Sequence, residues 1–92
     1  MLSFQKLDVY QCAIRFFALT VVGANGVPRG NGALLDQLRR AASSIPLNIA
    51  EAAGRTGEAD AARAYVIARG SAMECAAILD TLSVLKVADE RP

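Results

Sequence analysis

QLRRAASSIPLNIAEAAGR, residues 37–55, decides how this chain folds. Apart from one residue it reads as continuous helix. Pro46 has no N–H to donate and its ring crowds the carbonyl of Ala42, at a cost of about 3 kcal/mol in a helix interior. The residues before it, Ala41, Ala42, Ser43 and Ser44, are small, and the two hydroxyls can bond back to freed carbonyls. A helix over about 33–53, kinked at Pro46, is therefore expected. Leu34, Leu38, Ala41, Ile45, Ile49 and Ala52 recur at spacings of four and three and mark its buried face. Leu47 falls instead on the stripe of Asp36, Arg40 and Ser43, where a solvated helix carries polar groups. Two readings stay open. The kink wraps the helix around its own core, or it turns Leu47 and Asn48 toward a partner subunit, which makes Leu47 a candidate oligomer contact.

Working outward, Asp36 with Arg40 and Glu51 with Arg55 stand at i,i+4 in the favourable order. Gly54 is expected as a left-handed stop, Thr56 as the next N-cap, and Glu58 and Asp60 as acids in the first turn of a third helix. That helix is expected over about 57–87. Ala61, Tyr65, Ala68, Ala72, Cys75, Leu79 and Leu82 alternate at four and three, a coiled-coil-like seam, and its small half predicts the closest approach near Gly70. On the other side, GANGVPRGNGA supports only a loop, over about 23–32. The first helix, about 7–22, is apolar over most of its circumference, with Asp8, Gln11 and Arg15 forming one narrow polar stripe. It is either a central core helix or one that also touches another subunit. No strand-like alternation and no internal repeat is visible.

Composition narrows the function classes. The 92 residues make one domain with a thin core, 53% hydrophobic but with three Phe, two Tyr and no Trp. Helices with so few bulky side chains must approach closely to exclude water. Ten basic and nine acidic residues leave a net charge of +1, so any nucleic-acid site has to be a local patch. No histidine is present, which removes the commonest general base and metal ligand. Di-iron bundles need Glu-x-x-His motifs; the serines have no base to activate them; the glycines of GNGALL lack the Lys-Ser/Thr of a P-loop. Cys12 and Cys75 lack metal-type spacing and are expected as buried free thiols in a reducing compartment. FFALTVVGANG resembles the apolar part of a leader, but Asp8 lies before it and Arg15 falls late for a positively charged segment. No apolar run reaches the ~18 residues of a spanning helix. No catalytic residue, cofactor, metal, membrane contact or small-molecule substrate is expected, and a cytoplasmic location is.

The run QLRRA–SIP–NIAE–GR, with FQKLDVYQCA before it and YVIARGSAMECAAILD after it, resembles the four-helix bundle proteins encoded within intervening sequences of bacterial 23S ribosomal RNA genes, a family that includes accessory proteins of diversity-generating retroelements. The likeness extends from Phe4 to about Leu85, with Ala52 standing where the family usually carries Gly. It implies an all-α, up-down antiparallel bundle that assembles into rings, typically pentamers, without catalytic activity, and for some members contact with nucleic acid or a reverse transcriptase. Family members continue past the position of Asp89 into a fourth helix, which these residues do not supply; a bundle without it is expected to leave an apolar groove. The matching motif residues are Arg39, Arg40, Pro46, Asn48, Glu51, Arg55 and Glu74. Asn48, Glu51, Arg55 and Glu74 are expected as a polar network at helix packing surfaces, and Arg39 and Arg40 are the candidate contacts for RNA or DNA. A non-enzymatic, homo-oligomeric scaffold or adaptor is the leading expectation, and a nucleic-acid-binding accessory protein the alternative.

Overall fold

A computed structural model describes residues 2–23, 27 and 30–89. After a 3-10 turn at Ser3–Lys6 come three helices: α1 (Asp8–Val22), α2 (Gly32–Gly54) and α3 (Glu58–Asp89). Among the described residues there is no strand, so the chain is all-α. Five of the loop residues, 24–26, 28 and 29, lie outside the described set, as does part of the expected 23–32 loop with them. Gly30 takes a left-handed backbone (φ 91°), which suits a residue without Cβ, just ahead of α2.

The pairing of α2 with α3 makes the core. Leu38, Ala41 and Ala42 of α2 cluster with Cys75, Ile78 and Leu82 of α3, and Ile49 clusters with Ala68. Low numbers of α2 therefore meet high numbers of α3, and the two helices run antiparallel. Most of these side chains are small, so the backbones lie close. Between them the Ser71 hydroxyl donates to Ser44 Oγ at 2.8 Å, while Asn48 Nδ2 donates to the Ser44 carbonyl at 2.8 Å and to Ser44 Oγ at 3.0 Å. That half-buried set fixes the register of α2 on α3, because a slip would leave its members unpaired.

α2 passes through Pro46 without interruption, and the proline ring is itself buried. Ser43 donates to the carbonyl of Arg40 at 3.0 Å rather than to that of Ala42. α1 lies on α2 through Ala13, Tyr10, Phe16 and Phe17. The 3-10 turn is tied to it by Gln11 Nε2 donating to the Gln5 carbonyl at 2.6 Å and by Phe4 edge-on to Tyr10 at 5.2 Å. The molecule measures 56 × 25 × 17 Å. α1 is held against α2 and has little direct contact with α3, so the flank of α3 beside α1 is left partly uncovered.

Several local expectations are corrected. In α3 the column Ala68, Cys75 and Leu82 is buried, but Tyr65, Ala72 and Leu79 are not; the second column against α2 is Ala64, Ser71, Ile78 and Leu85. The central column has an apolar flank on each side, three and four residues away, and α2 covers only one of them. Gly70 sits on the outer face, with no atom within 4 Å of where a Cβ would stand, so it is not the point of closest approach. Cys12 is exposed and only Cys75 is buried, because α1 meets α2 on one side alone. Gly54 is not left-handed: the chain leaves α2 through an extended Arg55 (φ −80°, ψ 142°). The Gly57 carbonyl, not the Thr56 side chain, makes the first link into α3 by accepting from the Ala61 amide at 3.0 Å.

Two substitutions separate the packed face from the open one. Ile49→Ala, at a position 2% exposed, is expected to lower the unfolding free energy by about 2–5 kcal/mol in urea titrations. Gly70→Ala is expected to raise it by up to ~1 kcal/mol, since the helix gains propensity and the methyl meets open space. A loss of stability in Gly70→Ala would show that something packs against that face.

Candidate functional site

The uncovered face contains a long apolar groove between α1 and α3. These two helices hardly touch each other directly, since both are held by α2. One part of the groove, about 350 Å³, lies between Val9, Cys12 and Phe16 of α1 and Ala72, Ala76 and Leu79 of α3, with Ile45 of α2 beneath. A second part, about 210 Å³, shares Phe16 and Leu79 with the first and continues past Leu19 and Thr20 to Leu82. Thr20 is buried there, its hydroxyl satisfied by the Phe17 carbonyl at 2.7 Å. Among the described residues, the only ionisable groups in the lining are the thiols of Cys12 and Cys75. A surface of this kind holds apolar side chains well and offers little for proton transfer.

The polar motif residues fall into separate places. Asn48, Glu51 and Arg55 border a small cavity of about 140 Å³ at the closed end of the α2–α3 hairpin, where Asp60 and Arg63 of α3 join them. Arg55 donates to Glu51, and that hydrogen bond, with the carboxylate charge, raises the exposed guanidinium further above its ordinary value. Glu74 is not part of this group. It accepts from Gln37 Nε2 at 3.5 Å, about two turns along α3 beyond Ile67, the last α3 residue of the cavity, because the antiparallel register sets it opposite the first half of α2. The four residues expected as one network are thus three at the hairpin end plus a separate surface contact.

The basic pair also divides. Arg39 reaches Asp36 at 3.7 Å, so the expected Asp36–Arg40 pairing is replaced by an i,i+3 contact. Arg40 is exposed, without an ion pair among the described residues, as are Arg63 and Arg69. Leu47 is 66% exposed and makes no part of the intrachain core, so the stripe of Asp36, Arg40 and Ser43 does carry a large apolar side chain in solvent. Among the described residues no group of three or more His, Cys, Asp or Glu side chains could hold a metal ion. Nor is any described helix long and apolar enough to cross a membrane.

None of the groove residues Val9, Phe16, Ala72 and Ala76 was expected as a site residue, and Ala72 was placed in the α3 seam. Their signal lay in the breadth of the apolar surface on α1 and in the second apolar column of α3.

Cys75 also reports on this region. Burial pushes its thiol upward, with the adjacent Glu74 carboxylate adding to the effect. Above the ordinary thiol range the folded chain holds a proton that the unfolded chain loses, so stability is expected to fall as pH rises through that range. Urea titrations against pH, with Cys75→Ala giving the flatter profile, check this.

A model of the 23S rRNA-intervening sequence protein family matches residues 5–91. No individual curated protein and no solved structure matches the chain. With helices throughout and the family match spanning nearly every residue, the chain belongs to the 23S rRNA-intervening sequence protein family.

Proposed function

We propose that this chain is a non-enzymatic, homo-oligomeric helical scaffold or adaptor of the cytoplasm, its three helices forming an up-down bundle that completes its burial by association with further copies. The observation that carries this reading is the amount of large apolar surface left in solvent. Leu19, Val22, Leu47, Val66, Met73 and Val84 are each more than half exposed, and they are spread over all three helices. Contiguous apolar surface beyond a few hundred Å² is unusual on a monomer and marks sites of association. A net charge of +1 opposes self-association very little. Closed rings, pentamers among them, use such spread-out surface through two different patches per subunit.

A second reading, binding of structured RNA or DNA, is favoured by Arg40, Arg63 and Arg69, whose guanidinium groups are exposed and have no acidic partner among the described residues. A ring would multiply that local charge. An affinity of this kind falls steeply with salt.

Size-exclusion chromatography with light scattering and a full ultraviolet spectrum across the peak separates the readings. A defined oligomer with a clean protein spectrum is the expected result; two Tyr and no Trp make co-purifying nucleic acid easy to see. Leu47→Ser is expected to lower the oligomer's stability while changing the unfolding of the single chain by no more than about 0.5 kcal/mol. A strictly monomeric chain in dilute solution rules the scaffold out, and strong nucleic-acid absorbance in the oligomer peak puts the second reading first.

A further inference from the structure

We infer that the outer stripe of α2 centred on Leu47 docks, antiparallel, on the outer stripe of α3 of the next copy, with Leu47 seated over Gly70. This rests on the self-association proposed above and specifies the contact it uses. The shape of the two stripes and the charges beside them lead to it.

Leu47 is the one large apolar side chain of α2 that stands mostly in solvent, and its stripe is otherwise polar, with Arg40 and Ser43 before it and Glu51 after it. Gly70 is its counterpart on α3. No atom lies within 4 Å of where a Cβ would stand there. Val66, Ile67, Met73 and Glu74, three and four residues to either side, wall the gap, and all four are exposed. A large knob and a glycine hole with three apolar walls are complementary, and knobs seated in such four-residue holes are how helices pack side by side. The two stripes lie apart from the α1–α3 groove, whose lining includes none of these residues.

Charge then selects the direction. With Leu47 over Gly70 and the helices antiparallel, Arg40, seven residues before Leu47, comes level with Ala77, seven after Gly70, and Glu74 lies less than one turn away. Glu51, four after Leu47, comes level with Val66, four before Gly70, and Arg63 is equally near. On the opposite edge of the contact Arg39 comes level with Ile78, two residues from Asp80. Arg40, Arg63 and Asp80 are exposed and form no ion pair within the chain among the described residues. A parallel seating at the same point sets Arg40 level with Arg63 and Glu51 level with Glu74, like charge on like. Complementary charge therefore fixes the antiparallel register. Within one chain α2 and α3 already run antiparallel, so successive copies all point the same way. Leu47 and Gly70 both face away from the α2–α3 seam, and each copy offers one stripe to the copy before it and the other to the copy after it. A head-to-tail contact of this kind closes into a ring when its rotation does.

The test uses the full chain, with circular dichroism to show that each variant keeps its helices. Gly70→Glu meets open space in the single chain, while in the assembly it fills the hole with a charge beneath Leu47. It is expected to weaken association by roughly tenfold or more in light scattering and sedimentation equilibrium. Arg40→Glu and Glu74→Arg should each weaken it by about fivefold, and the two together should restore most of the loss. Oligomers that survive Gly70→Glu unchanged overturn the seating of Leu47 while leaving self-association itself standing. Loss of association in Gly70→Glu without rescue by the double charge swap overturns the antiparallel register. A wild-type chain that stays monomeric overturns both this contact and the scaffold reading.

Discussion

The contact between α2 and α3 is made of small side chains, and that choice governs how much of the molecule can be covered. Ala41, Ala42, Ala64 and Ala68 bring the backbones close, and Cys75 is the largest side chain fully buried. Close approach gains dispersion contacts and excludes water, and the Ser44–Ser71–Asn48 hydrogen bonds lock its register. The same economy of volume leaves the pair narrow. α1 reaches the α2 side of the seam, through Phe16 and Phe17, but does not close over α3. The groove is what remains when a thin seam supports a third helix on one flank.

Much of this was legible in residues 37–55. The spacing of Leu38, Ala41, Ile49 and Ala52 identified the buried face of α2, and those four are buried. The all-α class followed from the absence of alternation and from the motif run. Side choice was less legible. In α3 the flanking columns Ala64/Ser71/Ile78 and Tyr65/Ala72/Leu79 look alike as patterns, since both stand at heptad spacing from Ala68 and Cys75. Which of them meets α2 depends on tertiary packing, not on periodicity. Gly70 suggested close packing for the same reason and lies on the outer face instead. The polar group failed in one member: Asn48, Glu51 and Arg55 follow one another at the end of α2 and just beyond it and stay together, whereas the position of Glu74 relative to them is set by the antiparallel register.

Pro46 and Leu47 take on a consistent meaning in this light. The proline ring is buried on the core side of α2, while Leu47 beside it stands in water. A helix whose own core needed nothing from Leu47 has kept a large apolar group on a polar stripe. Together with the groove, it gives the molecule two apolar patches, one on α2 and one between α1 and α3. Two distinct patches per subunit are what the proposed closed assembly would use. Membership in the 23S rRNA-intervening sequence protein family is compatible with that architecture and specifies no chemistry for it.

Cys12 offers the most direct view of the groove. In the single chain it is exposed at the groove wall, while Cys75 beneath is buried. The measurement is the rate at which Cys12 reacts with a small thiol reagent, followed by mass mapping, as a function of protein concentration. If association covers this face, that rate falls as the oligomer fills and Cys75 stays slow throughout. A Cys12 rate that remains fast and independent of concentration, across a range where oligomers are present, would contradict it.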